Sequence, residues 1–220
     1  MAMTFFNRGL YSYPEVAALS RLSIAQVRAL VYGYKGSSVI PPLKDRKILK
    51  HENRDYLSFF DLIEIRFISH FISKGISRSR VFKIYKNAKR ELKREHPFAT
   101  RFTTDGLDIF ADNLNRLLSM EDEQYAFRET VEAILDDGIL FDDNNDACAW
   151  WPYSKELPKI MLNPSYRYGK PVVEGYNILT KTLYEACKVE EDNYKRVGEW
   201  YEVPEILVKQ AVDFEKRLAA

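Results

Sequence analysis

The sequence predicts a mainly α-helical protein with small β elements, on three observations. Several segments start with a Ser or Asn that can cap a helix and continue with apolar residues at helical spacing. Short stretches rich in Gly, Pro, Asn and Asp separate these segments and stop the helices. The chain of 220 residues is 46% hydrophobic, which is typical of a folded core. Each element follows from local signals.

The first signal is a pair of helix starts between residues 12 and 34. Ser12 with Glu15, and Ser23 with Gln26, have the spacing of a capping box. The connection Ser20-Arg21-Leu22 is short. This pattern predicts two helices that cross over a small shared core, a helix-turn-helix.

The next segment, 35–56, predicts a wing. Residues 35–38 form a turn, Val39-Ile40 is extended, and Pro41-Pro42 excludes a helix. Ile48-Leu49 offers a second extended piece. We expect a small basic hairpin that carries Lys44, Arg46, Lys47 and Lys50.

Two further helices follow. Ser58 caps a central core helix that Gly75 ends, and Ser77 opens a helix that Pro97 stops. The second helix has one apolar stripe and is otherwise covered by lysine and arginine between 83 and 94. This basic surface is either a solvated face or a face along a phosphate backbone.

The rest of the chain predicts a mixed middle segment and a helical end. Residues 98–118 are short extended pieces, 119–137 form an acidic helix, and 139–141 with 147–151 form a hairpin. Thr180 and Asn193 cap two helices, and Pro204 lies near the first turn of a third. We therefore expect domains at 1–96, 97–157 and 158–220, and no internal repeat.

Charge divides the chain into two halves. Residues 1–101 contain 20 Lys and Arg against 8 Asp and Glu, whereas residues 102–220 contain 13 against 24. A basic half suits a polyanion, because neutralised phosphates release counterions. Together with the helix-turn-helix it predicts binding to double-stranded operator DNA, and the expected DNA-binding residues are Arg21, Ser23, Gln26, Arg28, Tyr32, Lys35, Lys44, Arg46, Lys47 and Lys50.

The head resembles a known family of regulators. Residues 13–19, Leu22-Ser23 and 26–28 resemble the opening of the MerR-type winged helix-turn-helix, and 56–62 with 75–77 resemble its second helical pair. The resemblance covers residues 11–95. Residues 33–56 are longer than the usual wing. The resemblance implies a winged helix-turn-helix head that binds DNA.

The C-terminal region resembles the domain of unknown function 433. The matching segments are Asn163-Pro164, 169–175, 200–204 and 208–215. A MerR-like head with this tail resembles VapB-type antitoxins. That resemblance implies the antitoxin of a type II toxin–antitoxin pair, which represses its own operon and neutralises a PIN-like ribonuclease toxin.

Residues 193–214 also fit a second helix-turn-helix, giving a C-terminal three-helix unit of that type. One alternative is a second DNA reader. The favoured alternative is a unit for dimerisation or partner binding, because its many acidic residues would face phosphates. The expected partner-binding residues are the aromatic side chains Trp150, Trp151, Trp200 and Tyr201. Trp200 filling the core of the C-terminal helices is an equal alternative, and Trp151 is expected to be the more exposed.

Other classes of function find little support. Cys148 and Cys187 are far apart, and the three histidines are scattered, so we expect no metal, no cofactor and no enzymatic activity. No segment is long and apolar enough for a membrane span, and we expect a cytoplasmic protein. A homodimer is expected, because one recognition helix reads few base pairs. The alternative function is a stand-alone, ligand-responsive MerR-type transcription regulator.

Overall fold

The computed structural model describes residues 8–35, 42, 49–51, 54–101 and 138–219. Across these ranges the protein is mainly α-helical with small sheets, which confirms the predicted fold class. The helices are α1 (Tyr13–Ser20), α2 (Ile24–Tyr32), α3 (Phe59–Ser73), α4 (Arg78–Leu92), α5 (Thr180–Val189), α6 (Tyr194–Tyr201) and α7 (Glu205–Ala219). The strands are β1 (Leu49–His51), β2 (Arg54–Tyr56), β3 (Ile139–Phe141), β4 (Ala147–Trp150), β5 (Ile160–Met161), β6 (Val172–Val173) and β7 (Ile178–Leu179).

The described residues form two compact units. The head unit comprises 11–101 and 140–147, and the tail unit comprises 8–10, 138–139 and 148–219. Much of the predicted middle segment, 102–137, lies outside the described residues, so the three-domain division stays a prediction.

Side-chain caps start α1, α2 and α3 of the head unit as predicted, whereas Ser77 precedes α4 without a side-chain cap bond. Ser12 and Glu15 form a complete capping box on α1, and Ser23 and Gln26 form one on α2. Ser58 caps α3 in the same way. Each box satisfies backbone N–H groups that have no partner within the helix, which fixes where the helix begins.

The core of the head unit centres on α3, because apolar residues occur around almost its whole circumference. α1 and α4 pack against it. Phe98, in a short 3-10 helix (Pro97–Ala99), stacks on Phe67 with ring centres 5.8 Å apart. The core of the head unit therefore extends beyond residue 96, where the sequence analysis ended the head.

The wing is a short antiparallel hairpin of β1 and β2, with Leu49 opposite Tyr56. The strand expected at Val39-Ile40 lies outside the described residues. β2 was not predicted, because the polar Arg54 and Asp55 give no alternating pattern. The hairpin joins the helices through the backbone pair of Tyr11 and Leu57, both fully buried.

The tail unit combines one small sheet with three helices. β5, β6 and β7 pair antiparallel in that order, and α7 packs against α5, α6 and the sheet. Asn193 caps α6 as predicted, since its side chain accepts from the Arg196 N–H at 3.1 Å. The prediction for Thr180 was wrong, because Leu179 occupies the cap position. The Thr180 hydroxyl instead donates to Glu215 on α7, since it is fully buried and needs a partner there.

The predicted hairpin near residue 140 is present, with β3 paired to β4. Its turn is closed by Asp142, whose carboxylate accepts from the N–H groups of Asn144 and Asp146, each at 2.9 Å. The acidic loop is therefore an Asx-type turn, as expected from its composition.

Candidate nucleic-acid interface

The turn between α1 and α2 is set by one residue in the left-handed conformation. Arg21 has φ 55° and ψ 41°, and the next N–H, of Leu22, donates to the Ala17 carbonyl at 2.9 Å. This is the 6→1 bond of a Schellman motif, which ends α1 and reverses the chain within three residues. The small Ala17 is buried at this crossing. The geometry is that of the predicted helix-turn-helix.

The second helix of this motif has one buried and one exposed face. Val27, Leu30 and Val31 are buried, and they hold α2 against the core. The opposite face carries the residues that the sequence predicts to read DNA, and all of them are exposed: Ser23, Gln26, Arg28 and Tyr32. Ile24, 43% exposed, lies beside them. Arg21, at the turn, and Lys35, after the helix, are exposed too.

The Gln26 side chain is held by the cap of its own helix. Its Oε1 accepts from the Ser23 N–H at 2.8 Å, while the Gln26 N–H donates to the Ser23 hydroxyl at 3.2 Å. A glutamine that reads adenine uses both its oxygen and its nitrogen. While the cap persists, Gln26 can therefore offer its amide N–H₂ to a base, and its Oε1 keeps one lone pair that the Ser23 N–H does not use.

Tyr32 ties the second helix to both the first helix and the wing. Its hydroxyl accepts from the Tyr13 hydroxyl at 2.9 Å and donates to Asp55 Oδ2, on β2, at 2.7 Å. Burial raises the pKa of Tyr13, and its hydrogen bond to Tyr32 raises it further. The pKa of Tyr32 is raised as well, mainly by burial. Tyr32 is thus a positioning residue for the wing, a role that sequence reasoning missed because Asp55 gives no motif.

The wing lysines and arginine are described only in part. Lys44, Arg46 and Lys47 lie outside the described residues. Lys50 lies within β1, directly opposite Asp55 in the hairpin register. Their assignment to phosphate contacts stays a prediction.

The four aromatic residues expected to bind a partner differ in exposure. Trp150 is fully buried, because its backbone pairs with Leu162 inside the tail unit, so it cannot serve as a surface anchor. Trp151 and Tyr201 are half-buried. Trp200 is 54% exposed, and the alternative in which it fills the helical core is therefore wrong. The expectation that Trp151 would be the more exposed of the two is wrong as well.

The tail unit repeats the turn geometry of the head. Glu202 has φ 55° and ψ 36°, almost the values of Arg21, and the Val203 N–H donates to the Gly198 carbonyl at 2.9 Å. This is the turn of the second helix-turn-helix that the sequence analysis predicted at residues 193–214.

Each position of the first motif corresponds to a position of the second at a constant separation in the sequence. The first such pair is Ser12 and Asn193. The two motifs share the geometry of their cap and turn: both caps accept from the N3 backbone, and the carbonyl that closes each turn belongs to a small residue. The corresponding pairs are Ser12 and Asn193, Tyr13 and Tyr194, Val16 and Val197, Ala17 and Gly198, Leu22 and Val203, Val27 and Val208, and Val31 and Val212. No internal repeat was expected from the sequence, and the correspondence is limited to the cap, the turn and part of the core. The buried Leu19, for example, corresponds to Trp200, which is 54% exposed.

The head unit also contains a buried polar cluster. Glu64, on α3, is fully buried; its Oε2 accepts from the Tyr85 hydroxyl at 3.3 Å and lies 3.1 Å from His96 Nδ1, while its Oε1 accepts from the Phe98 N–H at 3.4 Å. Asp61 completes a group whose ligand-type atoms lie within 4.8 Å of one another. Both carboxylates already accept hydrogen bonds. Those of Glu64 link α3 to Tyr85 on α4 and to Phe98 in the Pro97–Ala99 segment. Sequence reasoning treated His96 as isolated, since 32 positions separate it from Glu64.

Among the helices that the structure describes, none combines the length and the apolar surface needed to cross a bilayer.

No profile of a known protein family matches the chain, and no curated protein is significantly similar to it in sequence. The fold is similar to that of the crystal structure of Rv2018 from Mycobacterium tuberculosis, with a TM-score of 0.72 and 19% sequence identity. The similarity covers 94% of this chain and 99% of that one. At this identity it concerns the fold alone, so any function must be argued from the residues of this chain.

Proposed function

We propose that this chain is the antitoxin of a type II toxin–antitoxin pair. In this function it binds operator DNA to repress its own operon, and it neutralises a PIN-like ribonuclease toxin. The observation that carries the DNA-binding part is the exposed polar face of α2, held beside a β-hairpin within a basic half of the chain.

The head suits the major groove for three reasons. A helix whose first turn is exposed can enter the groove with its N-terminal side chains towards the base edges. Arg21, Arg28 and Lys35 are exposed around it, and each can neutralise a phosphate. The hydrogen bonds of Tyr32 hold the wing hairpin against the same helix, so both elements can contact one stretch of duplex.

The partner-binding part is supported by the acidic half. Residues 102–220 contain 24 acidic residues against 13 basic ones, which disfavours DNA and favours a basic protein surface. The resemblance of the head and tail together to VapB-type antitoxins suggests that the basic partner is a ribonuclease toxin. A homodimer is part of the proposal, because two recognition helices are needed to read an operator of useful length.

The DNA-binding part is tested with the full chain and the DNA upstream of its own gene. We expect fluorescence anisotropy to give tighter binding to this DNA than to a scrambled duplex. The logarithm of the binding constant should fall with the logarithm of salt concentration by about 0.9 per phosphate neutralised. Equal, salt-independent binding to both duplexes would refute the operator function.

The antitoxin part is tested by co-expression with the product of the neighbouring reading frame. We expect the two proteins to co-purify and the ribonuclease activity of the partner to be inhibited. If the chain binds its operator but neither captures nor inhibits that product, the ligand-responsive regulator becomes the better proposal.

A further inference from the structure

The turn between α6 and α7 exposes two large apolar side chains. Trp200, in the last turn of α6, is 54% exposed, and Ile206, in the first turn of α7, is 61% exposed. The helix ends adjoin closely, because a Cβ built on Gly198 lies 3.7 Å from the Glu205 Cα. The two apolar residues therefore stand on adjoining ends of the second helix-turn-helix.

Carboxylates surround these apolar residues. Glu199, Glu202 and Glu205 are all exposed, and the segment 198–206 contains no basic residue. We call Glu199, Trp200, Glu202, Glu205 and Ile206 the acidic–aromatic surface. The corresponding segment of the head, 17–25, contains one charged residue, Arg21. The positively charged Arg21 of the head thus corresponds to the negatively charged Glu202 of the tail.

Two cations near these carboxylates, Lys209 and Arg196, have partners within the tail unit. Lys209 pairs with Glu205 at 2.7 Å, and Arg196 pairs with Glu190 at 3.1 Å while its guanidinium lies over the Trp200 ring at 5.1 Å. These contacts leave Glu199 and Glu202 as exposed carboxylates at the edge of the surface. The acidic character of the surface is therefore not cancelled by the two cations.

This charge distribution separates the second motif from a DNA reader. A helix-turn-helix presents its turn and the start of its second helix to the duplex. Carboxylates at Glu202 and Glu205 would then approach phosphates, where like charges repel. The fold of a DNA-reading motif is kept, but its exposed residues fit a cationic partner.

We propose that the acidic–aromatic surface is the docking site for a protein with a basic face and an apolar pocket that receives Trp200. The inference rests on the proposed function, which requires a protein partner, and it names the surface that binds that partner. Trp is one of the residue types most enriched in interface hot spots, which makes the exposed Trp200 the anchor of this surface. The surrounding carboxylates steer a basic partner and set its orientation.

The test uses the full chain co-expressed with the product of the neighbouring reading frame. Trp200→Ala removes the anchor, and Glu199→Lys reverses the charge at its edge. Two matched controls on α5 are Val189→Ala, at a residue 77% exposed, and Glu185→Lys, at an exposed residue. We expect each change on the surface to weaken the complex about tenfold or more in calorimetry. Each control should change the affinity by less than about twofold, as exposed positions outside a hot spot do.

The outcomes distinguish this proposal from the function on which it rests. If the unmodified chain captures the product and the surface variants do so equally well, the surface is refuted and the antitoxin function stands. If the unmodified chain captures nothing, both fail. Thermal unfolding by circular dichroism confirms that each variant is folded. Loss of operator binding in Trp200→Ala would make the surface a DNA reader, and loss of self-association in light scattering would make it a dimer contact; either result overturns the proposal.

Discussion

The guanidinium carbon of Arg28 lies 5.6 Å from the centre of the Tyr13 ring, a cation–π contact between the two helices of the first helix-turn-helix. The equivalent contact in the tail joins Lys209 to Tyr194, again at 5.6 Å. A basic residue at this position therefore braces the second helix against the first in both motifs. Its presence alone does not indicate contact with DNA.

This equivalence gives the first prediction. Arg28→Ala should lower the free energy of unfolding by about 0.5–1 kcal/mol, because it removes an exposed cation–π contact. Lys209→Ala should also lower it, because it removes both the contact with Tyr194 and the ion pair with Glu205. Only Arg28→Ala should weaken operator binding and reduce the salt slope by about 1. Urea unfolding and anisotropy titrations measure the two effects. Equal loss of DNA binding in Lys209→Ala would show that the tail contacts DNA.

The second prediction separates the two roles of Gln26. Gln26→Ala removes the hydrogen bond from the Ser23 N–H but keeps the bond from its own backbone N–H to the Ser23 hydroxyl. It should therefore cost less than the loss of an N-cap residue, which is about 0.5–2 kcal/mol, and it should also lower the ratio of operator to random-DNA affinity. Gln26→Glu keeps an oxygen for the Ser23 N–H, so stability should be retained, but it removes the amide donor, so the affinity ratio should still fall. If Gln26→Glu keeps the full ratio, Gln26 acts through the cap and does not read a base.

Local signals allowed much of the fold to be predicted. The caps at Ser12, Ser23, Ser58 and Asn193 depend on neighbouring residues alone, and all four were identified correctly. Features that depend on distant partners were missed. Thr180 has the type of a cap residue, but a carboxylate on α7 pairs with its hydroxyl instead.

In the candidate site, too, only the features that depend on neighbouring residues could be predicted. The outward face of α2 follows from helical periodicity, and its predicted residues are exposed. The tether through Tyr32 could not be predicted, because the pairing of Tyr32 with Asp55 joins residues 23 positions apart. The second helix-turn-helix was recognised from its apolar spacing, but its relation to the first was hidden by different exposed side chains.

The third prediction concerns that tether. Tyr32→Phe removes both hydrogen bonds of the hydroxyl, so the β1–β2 amides should exchange faster with solvent, and affinity should fall alike for operator and random DNA. A stability loss of about 1 kcal/mol is expected. Hydrogen exchange by mass spectrometry provides the measurement. Unchanged exchange in the wing would show that the hairpin holds its place without Tyr32.

The same tyrosines make the stability of the folded protein depend on pH in the alkaline range. The pKa values of Tyr13 and Tyr32 are raised in the folded state, so their contribution to the free energy of unfolding is complete below the unfolded pKa of about 10. That contribution is lost as the pH rises above this value. The loss of stability from Tyr32→Phe should therefore be largest near neutral pH and should shrink above about pH 10.

The fourth prediction concerns the buried carboxylate of Glu64. Glu64→Ala leaves the Tyr85 hydroxyl and the Phe98 N–H without their acceptor in the core, and each such group costs about 1–3 kcal/mol. Glu64→Gln keeps one acceptor oxygen and should cost less. Urea unfolding compares the two variants. Equal stability of Glu64→Ala and the unmodified protein would mean that water or another group replaces the carboxylate.

The last prediction tests the tight turn of the second helix-turn-helix. Ala favours a helix over Gly by about 1 kcal/mol, so Gly198→Ala would ordinarily stabilise α6. Here the added Cβ would lie 2.6 Å from the Val203 carbonyl oxygen, and relieving such overpacking costs about 1–3 kcal/mol.

We therefore expect Gly198→Ala to lower the melting temperature. It should also weaken binding of the protein partner to the tail, because α6 and α7 must move apart beneath the acidic–aromatic surface. Operator binding should be unchanged. The matched control is Ala17→Gly at the equivalent turn of the head, where a Cβ is already accommodated; it should lower stability by about 0.5–1 kcal/mol through backbone entropy alone. A higher melting temperature in Gly198→Ala would show that the second turn relaxes to the geometry of the first.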